Sequence, residues 1–168
     1  MQFEFVHEFD IPLDALELAV ISPNLHQALA NRLPNIASVE QKEHALEGTR
    51  LERLWSYQAN VAVPAFAKKH VTPDMMAWDE RSIYELPRHA AEWTIRPHIK
   101  PEWQKYFSAK GTYVLSDLGS GRSRRTVTGT IALHVPLVQK MAEKLIVAEV
   151  RKTFDAEAET IRDLATLV

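Results

Sequence analysis

The chain has 168 residues, 46% of them hydrophobic, with a formal net charge of −2 and no cysteine. That length supports one domain with a substantial core, spanning 1–168. The charge balance supplies no basic field for nucleic acid, and the lack of cysteine excludes disulfides, thiolate catalysis and cysteine metal sites.

The first ten residues alternate: Phe3, Phe5, His7 and Phe9 share one face and Glu4 and Glu8 the other. This pattern predicts a half-buried strand and is unlike a signal peptide. Two short helices are expected next, over 13–20 and from Ser22-Pro23 to Leu33, with Ser as the cap and Pro in the first turn. From 36 to 135 the pattern is β. A polar strand covers 36–47, a turn falls at Gly48-Thr49, and 50–60 alternates Leu51, Arg53, Trp55 and Tyr57 against polar neighbours. Pro64–Val71 reads as a short helix or ordered loop. Strands follow at 75–86 and 90–99, Lys100-Pro-Glu-Trp103 interrupts, and 106–118 pairs with 124–135 around Gly119-Ser-Gly121.

The end of the chain is an amphipathic segment from Leu137 to Val168 without Gly or Pro. At 1.5 Å per residue such a helix reaches roughly 45 Å and needs a long apolar surface to lie along. Its apolar residues include Met141, Leu145, Ala148, Phe154, Ala158 and Ile161, with a drift in phase near Val150. No apolar run reaches the roughly 18 residues of a membrane helix, so a cytoplasmic protein without stable membrane insertion is expected.

The predicted class is α+β, and the order of elements resembles the helix-grip fold of the START-like superfamily, which includes lipid-transfer domains and polyketide cyclases. That resemblance implies a curved antiparallel sheet of about seven strands, two short helices after the first strand, and a long C-terminal helix across the sheet. Gly129-Thr-Ile-Ala-Leu-His-Val-Pro-Leu-Val138, followed by Glu143-Lys-Leu-Ile146, is similar to the closing strand and helix start of a bacterial START-like family of unassigned function.

In that superfamily the sheet and long helix enclose a mostly apolar cavity. The resemblance therefore makes Phe3, Phe5, His7, Phe9, Arg53, Trp55, Tyr57, Trp93, Met141 and Leu145 candidate ligand-binding residues, with Phe66 as a gate. Each could equally fill a core. An empty cavity of about 300 Å³ would cost on the order of 7 kcal/mol, comparable to a domain's whole stability, so the interior must be filled by side chains, water or ligand. His7 among phenylalanines reads as a general base, a ligand-orienting donor, or a satisfied core histidine. Arg53 could neutralise a ligand carboxylate or reach a carboxylate at the sheet edge.

No metal or cofactor is expected. The seven histidines show no paired helical spacing, there is no HExxH, and the glycines form no phosphate-binding loop. The densest positive cluster, Gly121-Arg-Ser-Arg-Arg125, lacks stacking aromatics and reads as a solvated hairpin tip, to which Lys68-Lys69-His70 could add charge. The preferred expectation is binding of a hydrophobic small molecule or lipid without catalysis. The alternatives are a cyclase- or hydrolase-type enzyme using His7, Arg53, Glu85 or His134, and an interaction module that docks a partner protein.

Overall fold

The computed structural model describes residues 1–60, 76–134 and 139–166. The expected Pro64–Val71 segment, with Phe66 and Lys68-Lys69-His70, lies outside them. The order is β1 (Gln2–Phe9), α1 (Leu13–Ile21), α2 (Leu25–Ala30), β2 (Ile36–Glu47), β3 (Arg50–Ala59), β4 (Ala77–Glu85), β5 (Ala90–Pro97), α3 (Pro101–Gln104), β6 (Phe107–Gly119), β7 (Arg122–Leu133) and α4 (Gln139–Ala165).

The seven strands form one curved antiparallel sheet in the order β1-β7-β6-β5-β4-β3-β2. Alternation sets which side chains look inward, and the register aligns them in rows across the sheet. One row joins Phe5, Val127, Tyr113, Ala91, Tyr84 and Leu51, and another joins Ile131, Ala109, Ile95, Glu80, Trp55 and Gln41. Between them, Phe3, Gly129, Gly111 and Trp93 lie in line. A Cβ at Gly129 would meet the Phe3 ring at 2.5 Å, and one at Gly111 would meet the Trp93 ring at the same distance. Only glycine lets those rings lie against the backbone there.

β2 is a sheet edge, which explains its polarity: Glu40, Lys42, Glu43 and Glu47 are exposed, and irregularities fall near Ile36 and Lys42. Ser22 does not cap α2. It follows the end of α1, Asn24 occupies the cap position, and α2 stops at Ala30 rather than Leu33.

α4 runs across the inner face beside β1. At its start Glu143 accepts hydrogen bonds from the Leu133 amide (3.0 Å) and Gln139 (3.1 Å) and pairs with the Met1 amino group (3.3 Å). Near its end Arg162 donates to the Glu8 carbonyl at 2.9 Å and lies over the Phe9 ring. α1 and α2 pack against the C-terminal half of α4, burying Leu16, Val20, Leu25 and Leu29 beneath Ala158 and Ile161.

Candidate ligand-binding interior

The structure places Phe5, His7, Phe9, Arg53, Trp55, Tyr57 and Trp93 on the inner face, all buried, with Phe3 half-buried beside them. Met141 and Leu145 are each 63% exposed and correct the expectation that they face the interior. The phase drift at Val150 is the signal of this. Tracing back from Phe154 at helical spacing gives Val150, Val147, Ile146 and Glu143 on the sheet side, whereas Met141, Leu145 and Ala148 form a second apolar stripe on the outside. Two further expected catalytic groups are also outside. Glu85 shares the outer face with Arg50 and pairs with Arg88, and His134 is exposed beyond the end of β7.

The basic cluster divides in the same way. Arg122 and Arg124 pair with Glu8 on the outer face at 2.8 and 2.7 Å. Arg125 points inward, has no exposed surface, and donates to Glu157 (2.6 Å) and to the Phe154 carbonyl (2.9 Å) of α4. Beside it His7 Nε2 lies 2.8 Å from Asp155 Oδ1. Burial, and secondly the Arg125 charge, lower the His7 pKa, and Asp155 opposes them. His7 is thus a neutral clamp between β1 and α4.

Among the described residues no carboxylate bonds to Arg53. At 3% exposure it donates to the Val20 carbonyl (2.7 Å), the Tyr113 hydroxyl (3.2 Å) and Ser82 (3.3 Å), and it covers the Trp55 ring. These bonds tie α1, β3, β4 and β6 together and keep a charge inside the molecule. Tyr113 is pushed up to about 12, by burial first.

Sequence reasoning missed Glu80. The pairing Trp55↔Glu80↔Ile95 puts its carboxyl on the inner face among apolar side chains. Burial, and then the Glu157 charge, push it up to about 7, while Arg53 and a hydrogen bond from Tyr57 pull the other way. Tyr57 itself is raised by its burial and by Glu80, and its ring stacks on Trp78 at 5.2 Å. The alternation of β4 could have found Glu80, because Trp78, Ser82 and Tyr84 share its parity.

The interior has two unlike ends. At one, Phe5, Phe9, Val127, Tyr84 and Leu51 are themselves sealed. Around the Glu80 row, Trp78, Ile95 and Phe107 on the sheet and Ile146, Val147 and Val150 on α4 keep accessible surface while packing on the core. On the opposite face of the sheet, an open groove of about 770 Å³ crosses Gly111 and Gly129 and is lined by Glu4, Glu92, Lys110 and threonines. Among the described residues no cluster of three metal-ligating side chains occurs, and no helix is long and apolar enough to cross a membrane.

No curated protein matches the sequence. Solved structures do resemble the fold. An aromatase/cyclase, Zhui, from Streptomyces sp. R1128 matches with a TM-score of 0.67 at 14% identity, over 99% of this chain and 93% of that one. Norcoclaurine synthase from Thalictrum flavum matches with 0.67 at 14%, over 98% and 85%. TTHA0849 from Thermus thermophilus matches with 0.63 at 17%, over 99% and 98%. At such identities the likeness establishes the START-like helix-grip fold alone. A family model described as "Protein of unknown function (DUF2505)" matches residues 4–164, and the chain belongs to that family.

Proposed function

We propose that the chain binds a hydrophobic small molecule or lipid between the sheet and the N-terminal half of α4. The observation that supports this is the contrast within one core. Apolar side chains at one end are sealed, whereas Trp78, Ile95, Phe107, Ile146, Val147 and Val150 keep accessible surface although they sit on the inner side. Apolar walls with a few inward polar groups suit a small hydrophobic ligand. The fold is shared with an aromatase/cyclase and a norcoclaurine synthase, whose names denote work on small molecules.

Native mass spectrometry of the purified protein, followed by organic extraction, tests the reading directly, since a discrete released lipid or aromatic mass supports it. A second arm titrates the apolar dye N-phenylnaphthylamine. Val147→Trp should fill the space and weaken dye binding at least about tenfold, a loss of about 1.4 kcal/mol. Equal dye binding by the Val147→Trp variant and the parent protein would place the dye elsewhere and end the proposal.

A further inference from the structure

Glu80 lies on the inner face, beside half-covered Ile95 and two residues from half-covered Trp78 on the same strand face. Its neighbours in the same inward row are Trp55 and Ile95, and Gln41 faces Trp55 from β2. Two polar groups in this row lack partners: Trp55 Nε1, a donor, and Gln41 Oε1, an acceptor, are buried without a hydrogen bond. Natural interiors pair nearly all such groups, so an unpaired set on one wall marks a place built to meet something polar.

The charged and titratable groups that face Glu80 come from every layer around it. Among the described residues they are Tyr57 and Arg53 on β3, Tyr113 on β6, Arg125 on β7 and Glu157 on α4. Both guanidinium groups are committed elsewhere, Arg125 to Glu157 and Phe154, and Arg53 to Val20, Ser82 and Tyr113. Glu80 therefore has a second carboxylate for a neighbour and no arginine bonded to it. The Tyr57 hydroxyl stands beside it and lowers its pKa, and when protonated the Glu80 carboxyl offers an O–H donor on the inner face.

We propose that Glu80, in its acid form, donates a hydrogen bond to an uncharged acceptor oxygen, a carbonyl or ether, on the ligand, so that binding is coupled to uptake of one proton. This rests on the ligand-binding reading above and adds to it the polar character of the ligand. An anionic head group at this wall would meet both Glu80 and Glu157 and is disfavoured. The pKa of about 7 places the exchange between acid and carboxylate close to neutral pH.

The test compares two fluorescent probes, the naphthyl ketone Prodan and the hydrocarbon-like N-phenylnaphthylamine, in the whole chain. If only the acid form binds the ketone, Prodan affinity falls about tenfold between about pH 6 and about pH 8, while N-phenylnaphthylamine affinity does not change. Glu80→Gln keeps an N–H donor but cannot titrate, so its Prodan affinity should be flat with pH. Glu80→Leu should lose Prodan selectively and still bind the hydrocarbon probe, which also reports that the interior is intact. Flat Prodan binding by the parent protein, or an unchanged pH profile in Glu80→Gln, overturns the proposal while leaving the pocket standing. If neither probe binds the parent protein, the pocket reading fails and this inference falls with it.

Discussion

The two ends of the interior are built on the same sheet and helix but carry different loads. Beneath the C-terminal half of α4, Leu16, Leu25, Leu29, Val127 and Ile161 are almost without exposed surface, and α1 and α2 close that end. Along the N-terminal half, the helix contributes Ile146, Val147 and Val150, which remain half-covered. Stability is concentrated where packing is complete, and the half-covered end contributes less of it. Between the two ends Arg125–Glu157 and His7–Asp155 join the sheet to α4 and fix the height at which the helix rides.

The sharpest way to break the comparison is to cut that join. Arg125→Met leaves Glu157 buried without its cation and should cost about 3–5 kcal/mol in denaturant unfolding. A loss below about 1 kcal/mol would show that the ion pair does not hold the helix. Next comes a matched pair of truncations. Ile161→Ala at the sealed end should cost about 2–5 kcal/mol and leave N-phenylnaphthylamine binding unchanged. Val147→Ala at the half-covered end should cost no more than about 1 kcal/mol and alter dye affinity. Equal costs for the two would erase the distinction between the ends.

His7 gives a smaller effect of known sign. Its pKa is lowered in the folded protein, so the unfolded chain binds the proton more tightly. The stability contributed by neutral His7 is full above the unfolded value, near 6.5, and is lost as pH falls through the folded pKa. Unfolding midpoints of His7→Asn should therefore fall less steeply on acidification than those of the parent protein, and parallel curves would remove His7 as the cause. Smallest of all, Leu145→Glu on the outer stripe should change stability by no more than about 0.5 kcal/mol, measured by thermal melts, and leave dye binding as it was.

The strands were legible where one face is apolar and unbroken. Phe3-Phe5-His7-Phe9 declares its inward parity because a period of two leaves one alternative, and that alternative would bury Glu4 and Glu8, whereas the strands from 36 to 99 alternate too imperfectly to name an inward face, and there the register decided it. β2 was not legible in this way. Its irregularity near Lys42 moves the inward set from Val39 and Gln41 to His44 and Leu46, a one-residue slip that no alternation rule anticipates. The candidate site was legible in its walls and not in its polar chemistry. Arg53 and His7 stood out as charged residues on apolar faces, yet their partners lie 33 and 148 residues away in the chain. Arg125 was read as part of an exposed tip because the hairpin shows three arginines and only the pairing with His7 reveals which one turns inward.

What the sequence determined by itself is the list of elements and the amphipathic sense of most of them, since these follow from local periodicity and from where Gly and Pro fall. What only the tertiary structure decided is the rotation of α4 about its axis and the company each buried charge keeps. The helix carries two apolar stripes, Met141-Leu145-Ala148 and Val147-Val150-Phe154-Ile161, and its own periodicity accommodates both. The choice is made by Glu143 binding the end of β7 and by Arg125 reaching Glu157, contacts between residues distant in sequence. Those contacts turn Met141 and Leu145 to solvent, and the pairing of β4 with β3 and β5 leaves Glu80 on the inner face.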